Sequence, residues 1–303
     1  YAKDQTGKTF EVKGTVTSAG ETYEAVAKIT VNKPVVVAEA NSTVTFENVQ
    51  LTDNFWNPKQ KVNAVNSLNK AIYQIEQASG GEPNFENAIK RLNGEPYDSF
   101  QGYVFQDSDI YKSIEAISYT LSVINDDTDE EMVAQKKKLE EKLAYWISLI
   151  EQVQYPDGYI NTHFALRSQT TAGGTNPGTH RWRSFANHEM YNAGHFLESV
   201  VAYTRYREGI GKPDYSLYVV GKRFADEIVS LFGPDGTRHE VPGHEEIELA
   251  LVKFSKLVNE YEGEGTGQKY VDTAKTLIDR RGESASLRES GYKGGEYSQD
   301  QTP

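Results

Sequence analysis

Imidazole, phenol and carboxylate side chains recur on one predicted helix in the middle of the chain. His188 and His195 are seven residues apart, which is two helical turns, so a helix places both on one face together with Tyr191. These groups are costly to bury in an apolar core, whereas a polar cavity at the N-terminal end of a helix suits them. The alternative is one buried histidine whose hydrogen bonds are satisfied and one histidine on the surface. The spacing alone does not distinguish between these two interpretations. The His-x-x-x-His spacing of a helical zinc motif does not occur.

His244 is a second candidate because of its place at a predicted helix start. It follows Pro242 and Gly243 and precedes a run rich in glutamate, a pattern typical of a helix N-terminus. A side chain at such a position is able to point into the mouth of a cleft. A helix cap with no further role explains the same pattern, and His163 lies in a predicted loop.

Two aspartates, Asp107 and Asp109, open another predicted helix. An Asp-x-Asp pair can hold a metal ion, but Asp107 or Ser108 is also suited to cap the helix, which would leave the other acid to turn inward. Glycosidases commonly place two carboxylates beside the scissile bond. With 44 acidic residues in the chain, composition does not identify such a pair. The 19 tyrosines fit a sugar-binding protein, and they fit an ordinary core equally well.

Composition excludes several classes of function. The 303 residues include 32 Lys and Arg against 44 Asp and Glu, for a net charge of −12, so no basic surface for nucleic acid is expected. The absence of cysteine excludes disulfides, Cys-ligated zinc and a cysteine nucleophile within these residues. No apolar run approaches the ~18 residues that a membrane span needs.

Hydrophobic periodicity changes along the chain. Residues 1–33 alternate with period two, which predicts two β-strands joined by a turn near Gly20. Beyond Pro58 the period is helical, and no strand–helix alternation follows, which favours a helical bundle, toroid or solenoid. The predicted helices are at residues 58–78, 84–92, 108–124, 130–152, 187–208, 215–232, 244–259 and 268–281.

Five separated blocks, in this order, resemble the start of the β-L-arabinofuranosidase family, glycoside hydrolase family 127, and its relative family 146. The resemblance covers roughly residues 44–303. Residues 1–33 are similar, more weakly, to the end of a bacterial immunoglobulin-like module. The five blocks are Leu51-Thr52-Asp53-Asn54-Phe55-Trp56, Phe105-Gln106-Asp107-Ser108-Asp109-Ile110-Tyr111-Lys112, Pro156-Asp157-Gly158-Tyr159-Ile160-Asn161-Thr162, His188-Glu189-Met190-Tyr191-Asn192-Ala193-Gly194-His195 and Gly243-His244-Glu245-Glu246-Ile247-Glu248-Leu249-Ala250-Leu251.

The resemblance implies a mainly α fold, part of an (α/α)6 barrel, with a short N-terminal β segment. It implies two domains: residues 1–34 as the C-terminal end of an immunoglobulin-like β-sandwich, and residues 35–303 as the N-terminal part of the catalytic domain. It also implies a retaining exo-glycosidase that releases terminal β-L-arabinofuranose from plant glycans or glycoproteins. In that family a zinc-held cysteine is the nucleophile and a glutamate is the acid/base. We expect those residues, and the zinc ligands, beyond residue 303.

For this chain the resemblance therefore implies substrate-binding residues only. His188, His195 and His244 match positions near the sugar, and Asp109 and His163 are further candidates. The family usually has an aromatic residue near position 163, so His163 is a departure. A carbohydrate with terminal L-arabinofuranose is the expected partner, and the outside or surface of a bacterial cell the expected location. The alternatives are a non-catalytic glycan-binding surface protein, or another (α/α)6 glycosidase or lyase.

Overall fold

The structure of the chain is a computed structural model, which describes residues 9–18, 21–30, 49, 51–78, 80–124, 129–166, 181–182 and 187–281. It divides into two compact units, residues 1–45 and 46–303. The described part of the second unit is helical, so the mainly α fold predicted from the sequence is confirmed.

The first unit contains an antiparallel pair of strands, β1 (Thr9–Ser18) and β2 (Glu21–Thr30). The register runs without interruption from Thr9 opposite Thr30 to Ser18 opposite Glu21. The period-two pattern of residues 1–33 thus correctly predicted strands. Assignment of residues 1–34 to an immunoglobulin-like module stays a prediction.

The helices of the second unit follow the predicted periodicity closely. Two wide π-helical turns, Asn63–Ser67 and Gln74–Ala78, follow the first two helices and keep residues 56–78 continuously helical. The helices are α1 (Trp56–Val62), α2 (Leu68–Tyr73), α3 (Gly81–Leu92), α4 (Asp107–Val123), α5 (Glu130–Val153), α6 (Thr162–Leu166), α7 (Glu189–Gly209), α8 (Ser216–Phe232), α9 (Ile247–Glu262) and α10 (Gln268–Arg280).

Helix α5 shows how the sequence determines these elements. Asp129 caps its start, since its carboxylate accepts hydrogen bonds from the backbone N–H groups of Glu131 at 3.0 Å and Met132 at 3.3 Å. Its apolar residues recur three and four apart and are buried as one stripe, while Lys137 and Glu141 stay exposed on the other side. The buried stripe contains Leu139, Leu143, Trp146, Ile147 and Ile150.

Helix α7 is the central helix of the described part. It packs along α4 on one side and α9 on another, and it also contacts α8. Residues on nearly all sides of α7 are therefore buried, including polar ones such as Glu189, Asn192 and Glu198. Buried polar groups need hydrogen-bond partners. Two of these residues, Glu189 and Asn192, lie at the end of α7 where the predicted histidine His188 also lies.

Large aromatic side chains fill the core between the helices. Edge-to-face contacts connect Tyr159 to Trp182 and to Phe224, and a further such pair links α9 to α10, while a tilted pair links α4 to α7. Within the described part of the chain, no helix is both long and apolar enough to cross a lipid bilayer. The largest fully buried aromatic residues are Trp146, Tyr111, Tyr159, Tyr270, Phe85, Phe164, Phe196, Phe224, Phe232 and Phe254.

The irregular segment between α3 and α4 is fastened to its neighbours by asparagine side chains. Asn84 donates to the backbone oxygen of Gln101 at 2.8 Å and accepts from its N–H at 2.9 Å. Asn192 of α7 donates to the backbone oxygen of Val104 at 3.3 Å. These bonds fix the segment that carries Phe105 beside the start of α7.

Candidate functional site

Three of the predicted site histidines surround Tyr191. The ring centroid of Tyr191 is 4.5 Å from that of His195 and 5.3 Å from that of His244. It is 5.8 Å from the ring of His188, which itself lies 5.2 Å from His244. The structure therefore brings His188, His195 and His244 together, although they come from two different parts of the chain.

His188 occupies the N-cap position of α7, immediately before the helix, and not a position within it. Its backbone is left-handed, with φ +55° and ψ +27°, and its side chain makes no capping hydrogen bond. His244 likewise lies three residues before α9, which begins at Ile247. The predicted helix starts at 187 and 244 are thus two and three residues too early, and both histidines lie in the connections leading into helices.

A small pocket lies between these two connections. His188 and Tyr191 line one side, and the connection leading into α9 lines the other. The lining residues are Trp182, His188, Glu189, Met190, Tyr191, Glu240, Val241, Pro242, Gly243 and His244.

Trp182 holds an unusual backbone conformation beside this pocket. Its φ is +64°, a strained value for a bulky residue. The backbone N–H of Trp182 donates to Glu189 at 2.8 Å, its ring N–H donates to Glu227 at 3.3 Å, and its carbonyl oxygen accepts from Arg238 at 3.1 Å. Three bonds from different elements thus hold the strained residue in place.

Glu189 is buried behind the pocket with both carboxyl oxygens in use. Its second oxygen accepts from the hydroxyl of Tyr159 at 2.5 Å. Burial raises the pKa of Glu189 to about 8, against the opposing effect of these hydrogen bonds. Burial also raises the pKa of Glu227 to about 7. Glu189 therefore links Tyr159 in the core to the backbone of Trp182 beside the pocket.

His195 lies deeper along α7, where it contacts Glu246. The Nδ1 atom of His195 is 3.1 Å from Oε1 of Glu246. Burial, followed by the nearby Lys112 ammonium, lowers the pKa of His195 to about 4. Its imidazole is therefore neutral at pH 7, and it can donate from one ring nitrogen and accept at the other.

Asp109 lies in the first turn of α4 at the edge of this group. Its Oδ2 accepts a hydrogen bond from the side-chain amide of Gln106 at 2.5 Å. Partial burial raises the pKa of Asp109, opposed by the charge of Lys112 and by the Gln106 bond. The charge of Lys112 acts on Asp109, and the ammonium of the same lysine donates to the Tyr191 hydroxyl at 2.7 Å.

Aromatic rings border the histidine group on the side of α4. Phe105 lies 5.1 Å from the ring of His188 and 6.4 Å from that of Tyr191. Tyr103 stacks on Phe105 at 5.3 Å with the two planes only 2° apart. Flat apolar faces next to hydrogen-bonding imidazoles form a surface that suits a sugar, whose ring has both C–H faces and hydroxyls.

His163 lies apart from the other candidates. It belongs to α6, a short helix that the sequence did not predict, and its ring contacts in the described part are with Phe100 at 4.9 Å and Phe164 at 5.5 Å. Neither phenylalanine has a ring contact with His188, His195 or His244 among the described residues. The substrate-binding role expected for His163 stays a prediction.

The expected capping of α4 by Asp107 or Ser108 was wrong. The N-cap residue is Gln106, without a side-chain capping bond. Asp107 instead turns inward, where its carboxylate accepts hydrogen bonds from the backbone N–H of Thr162 at 2.8 Å and from the hydroxyl of the same residue. Burial raises the pKa of Asp107 to about 6. Asp107 therefore joins α4 to α6 and takes no part in the histidine group.

The described residues do not fit the zinc site that the family resemblance implies. Among them there is no group of three or more His, Asp or Glu side chains arranged to hold a metal ion, and the whole chain lacks cysteine. The expectation that zinc is bound by residues outside this chain stays a prediction. What the described site can do is bind and orient a small polyhydroxylated ligand.

Sequence reasoning noted Tyr191 but omitted Lys112, Phe105, Trp182 and Glu246 from the candidate site. Helical spacing offered a signal for Lys112, which lies one turn beyond Ser108 and bonds to it at 3.0 Å. Trp182 and Glu246 reach the site from connections whose paths only the fold determines.

Comparison with known proteins agrees with the resemblance. The family model for the β-L-arabinofuranosidase GH127 catalytic domain matches residues 48–303. A curated relative, the non-reducing end β-L-arabinofuranosidase of Bifidobacterium longum subsp. longum, is 35% identical over 198 residues, which are 64% of this chain and 26% of the relative. The chain thus spans about a quarter of that protein.

Two solved structures are similar. The GH127 β-L-arabinofuranosidase Ara127N-Se from Geobacillus stearothermophilus T6 superposes with a TM-score of 0.64 at 29% identity, over 80% of this chain and 34% of the other. The GH127 β-arabinofuranosidase BT3674 superposes with a TM-score of 0.59 at 29% identity, over 79% of this chain and 34% of the other. Because the family model covers most of the chain, the protein belongs to the GH127 β-L-arabinofuranosidase family.

Proposed function

We propose that this chain is part of a retaining exo-glycosidase that releases terminal β-L-arabinofuranose from plant glycans or glycoproteins. Family membership over residues 48–303 supports a glycoside hydrolase. The observation that carries the proposal is the pocket between α7 and α9, where His188, Tyr191 and His244 converge.

The proposed architecture extends beyond the helices described above. The succession of helices from α3 to α10 and the packing of α7 against α4, α8 and α9 support an (α/α)6 barrel to which this chain contributes the N-terminal part. The β1–β2 hairpin supports an immunoglobulin-like module at residues 1–34. Such a protein would act outside the cell or on the surface of a bacterium, where plant polymers are accessible.

In this proposal the chain supplies the binding half of the site. His188 and His244 form hydrogen bonds to sugar hydroxyls. Neutral His195 contacts the ring of Tyr191, which in turn contacts the rings of both other histidines. Asp109 adds a hydrogen-bond acceptor at the edge. The nucleophile, the acid/base and the zinc ligands would come from residues outside this chain.

Hydrolysis of an aryl β-L-arabinofuranoside tests the proposal directly. We expect the complete gene product to release the aryl group and the 303-residue chain alone to show no turnover. The aryl α-L-arabinofuranoside serves as the matched control for the linkage. Turnover by the chain alone would overturn the assignment of the catalytic groups, and an inactive complete protein that still binds arabinosides would favour a glycan-binding protein instead.

Variants of the histidines connect the activity to this pocket. In the complete gene product, His244→Ala is expected to raise KM for the arabinoside by about tenfold or more, since it removes hydrogen bonds to the sugar. His239→Ala, in the same connection but outside the pocket lining, is the control. Equal kinetics of the two variants would place the sugar elsewhere.

A further inference from the structure

The hydrogen bond between Lys112 and Tyr191 has only one possible direction. The Nζ atom of Lys112 lies 2.7 Å from the hydroxyl oxygen of Tyr191. A lysine ammonium carries three donors and no acceptor, so the tyrosine oxygen accepts this bond. The hydroxyl proton of Tyr191 is consequently left to donate to another group.

Within the described part of the chain, that proton has no acceptor. The other contacts of Tyr191 are between rings, with His188, His195, His244 and Phe105. The side chain lines the pocket beside His188 and His244. A polar hydrogen in this position is available to whatever occupies the pocket.

Lys112 is itself held in a defined place. A second of its protons is donated to the hydroxyl of Ser108 at 3.0 Å, one turn earlier on α4. The ammonium also lies 4.8 Å from the centre of the Tyr191 ring. Among the described residues it has no carboxylate within 4.0 Å. The charge of Lys112 also opposes the raised pKa of Asp109, but in the described part of the chain the hydrogen bonds of its ammonium go to the hydroxyls of Ser108 and Tyr191.

We propose that Tyr191 donates its hydroxyl proton to a hydroxyl oxygen of the sugar in the pocket, and that Lys112 is the positioning residue that orients it. This inference rests on the proposed function, because it assigns a substrate contact in the same site. Because Lys112 donates to the phenol oxygen, the hydroxyl hydrogen of Tyr191 points away from Lys112 and can donate to a ligand oxygen. Tyr191 then selects for a ligand with an acceptor oxygen at that point.

Removal of the hydroxyl alone tests the first part. In the complete gene product, Tyr191→Phe is expected to raise KM for the aryl β-L-arabinofuranoside by about tenfold, as loss of one hydrogen bond predicts, with kcat less affected. Monodeoxy arabinofuranosides identify the partner, because one of them should bind both proteins equally. Tyr215→Phe, at an exposed position before α8, is the control. Unchanged kinetics of Tyr191→Phe, or an equal loss on every deoxy sugar, overturns the proposal.

A double-mutant cycle tests the role of Lys112. Lys112→Met should raise KM as Tyr191→Phe does, and the two changes together should cost little more than either alone. Lys112→Arg, which keeps a donor and a charge, should restore part of the affinity. Additive effects of the two changes would show that Lys112 acts independently of Tyr191 and would overturn its positioning role.

Direct binding separates this inference from the proposed function. Saturation-transfer NMR with L-arabinose measures binding whether or not hydrolysis occurs. If the complete protein is inactive yet binds arabinose, and Tyr191→Phe weakens that binding, the hydrolase function fails and the contact stands. If the unaltered protein binds no arabinose, both fail.

Discussion

At the scale of single residues, the site depends on two backbones held in the left-handed region. His188 has φ +55° and Trp182 has φ +64°, and both line the pocket. Such conformations cost about 1–2 kcal/mol for a residue with a Cβ atom, so surrounding contacts must hold them. For Trp182 those contacts are visible as three hydrogen bonds. For His188, at the start of α7, the visible contacts are those of its imidazole with the rings of Phe105 and His244.

The backbone of His188 makes it possible to separate structure from binding. We expect His188→Gly to fold with little loss of stability, because glycine adopts the left-handed region without penalty. His188→Ala should be less stable than His188→Gly by about 1–2 kcal/mol, measured by urea unfolding. Both variants should lose arabinose binding, because both lack the imidazole. Full binding by His188→Gly would remove His188 from the site.

At the scale of elements, the site is built where three helices begin or approach one another. Phe105 and Lys112 belong to the entry and first turns of α4, while His188 and Tyr191 begin α7. The connection into α9 supplies His244. The close crossing of α7 and α9 depends on Gly194, since a Cβ atom there would lie 2.6 Å from the Cγ of Glu246 and 2.9 Å from backbone atoms.

Gly194→Ala should therefore separate α7 from the start of α9. Contacts of 2.9 Å with backbone atoms leave no flexible neighbour to move aside, so we expect a loss of about 1–3 kcal/mol in unfolding free energy. Arabinose binding should weaken as well, because His244 and Glu246 shift relative to Tyr191. Gly209→Ala, at the exposed end of the same helix, is the control and should be neutral. Equal stability of the two variants would contradict the close crossing.

Most of the helices could be predicted because each buries a single apolar stripe over several turns. The helix expected at 130–152 spans Glu130–Val153, and that expected at 268–281 spans Gln268–Arg280. Helix α6 was missed because its five residues are too few to show a period. The start of α9 was placed too early because glutamates after Gly243 resemble a first helical turn, whereas the chain first approaches Gly194.

The candidate site was predictable only in part, for a related reason. His188 and His195 were associated by spacing along one chain segment, and family resemblance added His244. Lys112 reaches Tyr191 from a helix 79 positions earlier, a pairing that depends on how α4 packs along α7. The local sequence does not indicate that packing. Asp107 is the opposite case: its local sequence suggests a helix cap, but its side chain accepts a hydrogen bond from Thr162, which is distant in the sequence.

At the scale of the whole molecule, several carboxyl groups are buried so deeply that they favour the protonated form. Burial raises the pKa of Asp107 to about 6, of Glu227 and Glu248 to about 7, and of Glu189 to about 8. Glu248 stands out because it is only 5% exposed and, among the residues that the structure describes, neither of its carboxyl oxygens has a hydrogen-bond partner. Each of these groups binds a proton more tightly in the folded than in the unfolded chain, so folding is coupled to proton uptake.

We therefore expect the unfolding free energy to fall as pH rises from 5 to 8, and Glu248→Gln to lessen that fall. Folded Glu248 keeps its proton up to about pH 7, whereas the unfolded residue releases it near 4.5, so stability is lost through this interval. At pH 8 the variant should be more stable than the wild type by roughly 1–3 kcal/mol, and at pH 5 nearly equal to it. Urea titrations measure both, with exposed Glu151→Gln as the control. A variant with the wild-type pH slope would show that this carboxylate gains a donor or cation on folding.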